Sequence, residues 1–279
     1  MLNPFSREYS DETDDRLIEE ALAGSKHALQ VLILRHQSFV FNVALKMFGV
    51  RADAEDLTQQ ILVKAITSLR SFRRESAFRT WLYRMTVNEF LSCKRRGREL
   101  VTEDFATYFD SIAAVADEQI TEAEQVLEAG TIEELRIQCT TGMLACLNRP
   151  QRIVLILGDI FGADHQLGAE MTNTTPANFR VQLSRARRDL REWMNNRCGL
   201  VNPLNSCRCH KKARAYVRAG AVDGDSQVFN REYMGKIGEL ARTRSTEVMD
   251  AAEELRQKVF ADHPFEVMND GLIRGFFDV

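Results

Sequence analysis

Between Pro4 and Pro150 the chain contains no proline. Over the same stretch apolar residues recur at three- and four-residue intervals, and nothing alternates for long with the two-residue period of a strand. Helical periodicity that runs so far without a breaker restricts the first half of the chain to packed α-helices. The spacing predicts a short helix over Asp14 to Ala23, ended at Gly24-Ser25, and a longer one from Lys26 to Phe48. Leu29, Leu32, Ile33, Phe39, Val43 and Met47 of the longer helix are available for a core, and Gly49 suits its C-terminal turn. A third helix starts at Asp53, with Leu57, Ile61, Leu62, Ala65, Ile66 and Leu69 on one face. Asp53, Asp56 and Gln60 are expected on its wet face. A polar loop, Ser71 to Ala77, leads to a fourth helix carrying Trp81, Leu82, Met85 and Leu91. Residues 1–13 lack periodicity and are expected to be loose.

Charge is segregated along the 279 residues, although the formal net charge is only −3. Arg70 to Arg98 holds nine Arg or Lys against two Glu, interleaved with Phe72, Phe78, Trp81, Tyr83 and Phe90. Glu99 to Glu134 holds eleven acidic residues and no Lys or Arg. Arg180 to Arg218 holds eleven Arg or Lys and two acids. Cations beside π faces suit single-stranded nucleic acid, the cations for phosphates and the rings for bases. A solvated basic helix with its aromatic residues in the core accounts for the same composition. The acidic stretch, 99–130, reads as a tether, partly helical in its second half, whose like charges resist collapse and avoid DNA.

The order of residues goes further. DAEDLTQQ, followed by SFRRESAFRTWLYRMTVNEFLSCKRR, resembles the core-binding and promoter-melting region of bacterial sigma factors, in particular the extracytoplasmic-function (ECF) class of the sigma-70 family. The resemblance implies roles by position. Asp53, Glu55, Asp56 and Gln59 would grip the clamp coiled coil of core RNA polymerase. The loop Ser71 to Ala77, with Arg73, Arg74 and Ser76, would capture a flipped base of the minus-ten element, which needs a pocket and stacking partners to offset unstacking. Arg79, Trp81, Arg84 and Asn88 would lie along the same DNA, with Trp81 open to a second reading as a core residue.

A second block supports the same family. A helix from Thr131 to Leu147 ends at Asn148-Arg149-Pro150, and Pro150 suits the first turn of the next, Gln151 to Leu157. A short helix over Asp164 to Met171 and the turn Thr172 to Thr175 follow. Thr175 is the expected N-cap and Pro176 the first residue of a helix ending near Met194. This is a helix-turn-helix pattern. NRPQRIVLILGDIFG and TTPANFRVQLSRARRDLRE resemble the promoter-reading domain of the same class. Arg180 and Gln182 would then face base edges, while Arg185, Arg187 and Arg188 meet phosphates or pack. Thr172 and Thr174 stand where the family has aliphatic residues, and Gly168 where it has a better helix former. If buried, each is expected to cost about 1 kcal/mol or more in packing.

Six cysteines in a cytosolic chain read as thiols, metal ligands or redox sensors rather than a disulfide framework. No cofactor is required by the reading, but Cys198, Cys207 and Cys209, with His210 or one helical cysteine, could supply the four ligands of a zinc site. Cys139 and Cys146 are about 10 Å apart along a helix and cannot both ligate one ion. Buried or idle thiols and a redox switch are the competing readings. Beyond them, Ala221 to Asp225 resembles a flexible joint. Two amphipathic helices are expected after it, one across Tyr233, Ile237 and Leu240 and one across Val248, Ala252, Leu255 and Val259, before Pro264 and an apolar tail with Phe276 and Phe277.

The sequence carries no Gly-rich phosphate loop, HExxH, kinase signature or G-x-S-x-G elbow, and its five histidines form no catalytic set. No apolar run suggests a membrane span, and the polar, acidic N-terminus is unlike a signal peptide. The expectation is therefore an all-α, non-enzymatic cytoplasmic protein without membrane insertion. Its segments would be a loose 1–13, a sigma region 2-like domain over 14–98, an acidic linker over 99–130, a region 4-like helix-turn-helix domain over 131–197 and a mostly helical extension over 198–279. Its partners would be core RNA polymerase and promoter DNA, with an anti-sigma factor as a further candidate. A stand-alone helix-turn-helix regulator and a metal- or redox-sensing regulatory protein are the alternatives.

Overall fold

The computed structural model describes residues 9–48, 51–92, 104–220 and 222. Its helices are α1 (Asp11–Leu22), α2 (Lys26–Phe48), α3 (Arg51–Ser68), α4 (Phe78–Ser92), α5 (Phe105–Ala114), α6 (Glu122–Leu127), α7 (Ala129–Ala145), α8 (Arg149–Leu155), α9 (His165–Thr172), α10 (Pro176–Arg197) and α11 (Cys209–Arg218). A 3-10 turn, Leu69–Ser71, follows α3, and a π-helical turn, Ile156–Ile160, follows α8. Among the described residues the only extended pairing is an isolated parallel bridge between Cys198 and Cys207. The all-α expectation holds. The helices expected beyond Ala221, the joint before them and the tail lie outside the described residues.

Two boundaries differ from expectation for local reasons. Helix α1 begins at Asp11, so residues 11–13 are ordered; Asp11, Glu12 and Asp14 in its first turn complement the positive end of the helix dipole. The 99–130 stretch is not a bare tether. Phe105, Phe109 and Ile112 occur at helical spacing and are buried, so α5 packs despite its acidic surroundings. Thr121 and Glu124 form a reciprocal capping box that starts α6.

The contacts gather the chain into two discontinuous bodies. One holds α1 to α4 with α8, α9 and α10 up to Ala186; the other holds α5 to α7, α10 from Arg187 onward and α11. The expected division, with 131–197 as one separate domain, is therefore redrawn. Its physical cause is packing: the Arg152 guanidinium donates to the Met47 carbonyl at 2.9 Å, and Phe161 lies 4.8 Å from Phe39, so α8 joins the first four helices. Helix α9 rests on α4.

In the first body α2 is the spine. Its length and hydropathy (23 residues, 1.2) would allow it to cross a bilayer, contrary to the sequence expectation, but 67% of that window is buried within the fold. Burial extends to its polar groups. The Asp14 carboxylate, only 1% exposed, accepts from the Tyr9 hydroxyl (2.5 Å), Arg35 Nε (2.8 Å) and His36 Nε2 (2.9 Å). With Nε2 carrying the proton, His36 Nδ1 accepts from the Tyr83 hydroxyl at 2.9 Å, and the buried polar groups of three helices satisfy one another.

The second body is organised on α7. Phe105 and Phe109 stack near Trp193, with centroids 5.8 and 6.3 Å away. The Tyr108 ring occupies the space a side chain at Gly142 would need, and its hydroxyl donates to the Cys139 carbonyl at 2.9 Å. Ala213 and Val222 pack on Ile132 and Leu135. Around this core α11 meets the acidic stretch: Arg214 pairs with Glu124 and Glu128 (2.8 and 2.6 Å), Arg218 pairs with Glu118, and Lys212 with Asp117 (3.0 Å). The backbone amide of Thr121, then Arg214, hold the Glu124 carboxyl down to about 2.

Burial pushes the Asp14 carboxyl up, but the hydrogen bonds from His36, Tyr9 and Arg35 outweigh it and hold the group below its ordinary value. A depressed carboxylate contributes stability above its unfolded value, about 3.9, and loses it as pH falls through the folded value. Asp14→Ala should destabilise by about 1–3 kcal/mol at neutral pH, because it leaves the buried His36 N–H without its acceptor. Denaturant unfolding as a function of pH should show a shallower acid limb for this variant than for wild type.

Candidate nucleic-acid interface

Helix α3 sorts its polar residues by depth. Asp56 and Gln60 are exposed, Glu55 and Gln59 half-buried, and Asp53 is buried at 8% exposure. Asp53 therefore does not belong to the wet face expected for it; its place in the first turn puts it beside the inward-facing Ala54 and Leu57. The outward carboxylate of the set is Asp56.

After the 3-10 turn the chain runs through 72–77 with Arg74 in the left-handed region (φ 58°) and then enters α4. Three aromatic rings meet here. Phe72 lies 5.7 Å from Phe78 and 5.3 Å from Trp81, and Phe78 lies 5.6 Å from Trp81. Phe78 is buried and forms the floor, whereas Phe72 and Trp81 are half-buried. Trp81 thus combines its two expected readings: part of the ring packs and part remains accessible. Phe72 and Phe78 were visible in sequence only as members of an aromatic run; their joint support of Trp81 was not.

The cations of this segment are not equivalent. Arg73 is exposed with Glu75 4.0 Å away, and Arg74 reaches Glu19 at 3.0 Å. Arg79 is engaged inward, 3.0 Å from Asp11, with its guanidinium 5.2 Å from the Tyr9 ring centroid. Arg84 donates Nε–H to the Glu170 carbonyl at 2.9 Å. Ser76 is half-buried and Asn88 exposed. The loop and α4 therefore bring together the rings, Arg73, Arg74, Ser76 and Asn88 as a surface, while Arg79 supports it from behind.

The helix-turn-helix is formed as its capping residues dictate. Asp164 accepts from the Gln166 and Leu167 amides, Asn173 takes the left-handed turn (φ 53°), and Thr175 caps α10 through the Asn178 amide. Phe179, Leu183, Ala186, Leu190 and Met194 are buried along one stripe of α10. Arg180, Arg185 and Arg188 are exposed; Gln182 and Arg187 are half-buried. Gln182 donates to Asn178 at 3.2 Å, and Arg188 lies 3.3 Å from Asp189.

The three residues expected to weaken this element each have defined neighbours. The Phe179 ring sits where a Cβ on Gly168 would be, with its nearest atom 2.4 Å from that position. Glycine is thus required for the close approach. Thr172 and Thr174 share a hydroxyl contact at 2.9 Å, and Thr172 also donates to the Gly168 carbonyl at 2.8 Å, so neither hydroxyl is buried without a partner.

Cys198 closes α10 and is paired through the bridge with Cys207, while Cys209 and His210 open α11. Burial and the neighbouring Lys211 and Arg208 push the His210 imidazole down.

Residues 32–99 match the family model of sigma-70 region 2. The chain is 32% identical over 113 residues to the RNA polymerase sigma-H factor of Pseudomonas aeruginosa, covering 39% of this chain and 58% of that protein. It is 37% identical over 102 residues to the ECF RNA polymerase sigma-E factor of Haemophilus influenzae, covering 34% and 53%. With the ECF RNA polymerase sigma-E factor of Escherichia coli it shares 29% identity over 180 residues, covering 63% and 91%. The chain thus spans somewhat over half the length of the first two relatives it matches.

Substitutions in the loop and α4 separate surface from support. Arg73→Ala should change stability by no more than about 0.5 kcal/mol. Arg79→Ala should cost about 1–2 kcal/mol, since it removes both an ion pair and a cation–π contact. Chemical unfolding of the two variants side by side checks the assignment.

Proposed function

We propose that the chain belongs to the ECF class of the sigma-70 family and is an alternative sigma factor that binds core RNA polymerase and directs promoter recognition and initiation. The observation that carries this reading is the sigma-70 region 2 match over residues 32–99, a segment whose helices present an outward acid on α3 and a ring-and-cation surface at the start of α4. A stand-alone helix-turn-helix regulator would have no use for either.

In this reading the protein is not an enzyme and works in the cytoplasm; the polymerase supplies the chemistry and the chain supplies binding energy for separated strands. Asp56, with Glu55 and Gln59, contacts the polymerase clamp. Phe72 and Trp81 stack on an extruded base, while Arg73, Arg74, Ser76 and Asn88 hold the neighbouring backbone. Asp53 and Arg79 act by positioning these groups. On α10 Arg180 and Gln182 read base edges, and Arg185, Arg187 and Arg188 contribute phosphate contacts. Arg84 must first release the Glu170 carbonyl to reach a phosphate. An anti-sigma factor is the regulatory partner this class of protein invites.

Run-off transcription with purified core enzyme tests the reading directly, because a conventional regulator cannot restore initiation to core. Wild-type protein should support specific transcripts from a promoter library. Asp56→Arg should retain the fold and lose core affinity by about tenfold or more in a pull-down, the loss of a charge-assisted contact being about 1.5–3 kcal/mol. Core affinity equal to wild type in that variant removes α3 from the interface.

The helix-turn-helix makes a separate demand. Arg180→Ala should relax base preference in the upstream element, whereas Arg187→Ala should weaken binding across all sequences and reduce its salt dependence. Binding titrations at several salt concentrations distinguish the two behaviours.

A further inference from the structure

We propose that Val181 is a specificity-determining residue of α10, which reads the 5-methyl group of one thymine in the major groove of duplex DNA. The inference rests on the helix-turn-helix reading of this element and adds an apolar contact to the polar ones already assigned. Its first support is position on the helix. Phe179 and Leu183 point into the fold: the Phe179 ring occupies the space beside Gly168, and Leu183 Cδ2 lies 2.8 Å from where a Cβ on Gly158 would be. Ala186 continues the buried stripe. At 3.6 residues per turn, Val181 stands about 140–160° round the helix from each of these three residues. It therefore lies on the outward line of the N-terminal half of α10, and it is 47% exposed. That half of the second helix is the part such a motif places in the major groove.

The second support is the mismatch between this side chain and its surroundings. Single apolar residues are ordinary on a protein surface, but valine is a poorer helix former than the straight-chain residues that suit an exposed helical position. Val181 recovers little of that cost by burial within the fold. Its neighbours on the same face are polar. Asn178, Arg180, Ser184 and Arg185 are exposed, and Gln182 Nε2 donates to Asn178 Oδ1 at 3.2 Å. Ala177, one turn earlier and also exposed, extends the apolar spot without adding a polar group. Two side chains of this size are far smaller than the apolar core of a protein interface.

A small apolar group flanked by arginines complements a groove in which one apolar methyl is set among polar base edges and phosphates. Thymine carries that methyl in the major groove and cytosine does not, so contact with it separates T·A from C·G at one base pair. The valine χ1 angle is nearly fixed in a helix, and the contact therefore forms with little loss of side-chain freedom. Burying one methyl-sized group is worth roughly fourfold in affinity. Val181 thus sets the identity of one base pair, while Arg180 and Gln182 hydrogen-bond to its neighbours.

The test uses the full chain reconstituted with core RNA polymerase and a library of duplex promoters randomised over the upstream element. Wild type should select at least one thymine there, on one strand or the other. Replacing that thymine by deoxyuridine, which lacks only the 5-methyl group, should weaken binding about fourfold. Val181→Ala should bind thymine and deoxyuridine equally at that position and accept cytosine there, while keeping its preference at the pair that Arg180→Ala relaxes. Its thermal unfolding midpoint should equal or exceed that of wild type, because alanine is the better helix former, so loss of the fold does not imitate the result. The proposal is overturned if no thymine-to-deoxyuridine change in the element weakens wild-type binding, or if Val181→Ala still discriminates the two bases. Either result, obtained with binding that prefers a sequence, removes the role of Val181 and leaves the helix-turn-helix reading standing. Absence of any preference in the upstream element overturns both.

Discussion

The buried carboxylate of Asp14 is the interaction on which the first body depends. Helix α2 is apolar enough to be enclosed on most sides, yet it carries His36 into the centre, and an enclosed imidazole needs hydrogen-bond partners. Asp14 from α1 and Tyr83 from α4 meet the two ring nitrogens, so one side chain fixes the relation of three helices. The same network reaches the candidate interface. The Phe78 ring stands 5.2 Å from His36 in an edge-on arrangement, and Tyr9 lies under Arg79. The cluster of Phe72, Phe78 and Trp81 is thereby mounted on the buried hydrogen-bond network of the body.

Charge segregation along the sequence has a different meaning once the chain is folded. The basic run that continues beyond α10 is largely answered within the protein: Lys212, Arg214 and Arg218 of α11 pair with Asp117, Glu118, Glu124 and Glu128. The partly exposed pairs of Arg214 and Arg218 are individually worth little, but with the buried Lys212 pair they remove those cations from the set available to a polyanion. The acidic stretch supplies the counter-charge of α11 and, through Phe105 and Phe109, part of a core.

Arg84 shows how the C-terminal end of a helix can hold a cation. The carbonyl of Glu170 lies in the last turn of α9, where unsatisfied carbonyls concentrate partial negative charge. It is a good acceptor for a guanidinium, though weaker than a phosphate. The contact therefore stabilises α9 on α4 and leaves Arg84 exchangeable toward a more strongly anionic ligand.

Sequence alone determined the helical class, the positions of α2, α4 and α10 to within three residues, and the helix-turn-helix with Thr175 as N-cap and Pro176 as first residue of its second helix. These follow from local rules, namely a 3.6-residue period, the absence of proline and the chemistry of helix ends, and such rules act within a few residues. Asp56 and the exposed arginines of α10 were legible for the same reason. Tertiary packing decided the rest. Asp53 and Arg79 have the same local signals as their exposed neighbours, and only the partners brought from α1 and residue 9 turn Arg79 inward. Gly168 reads as a weak helix residue until Phe179 is seen to occupy the space beside it. The division into bodies and the pairing of the acidic stretch with α11 depend on contacts between segments remote in sequence. Periodicity reports which face of a helix is apolar and is silent on what covers it.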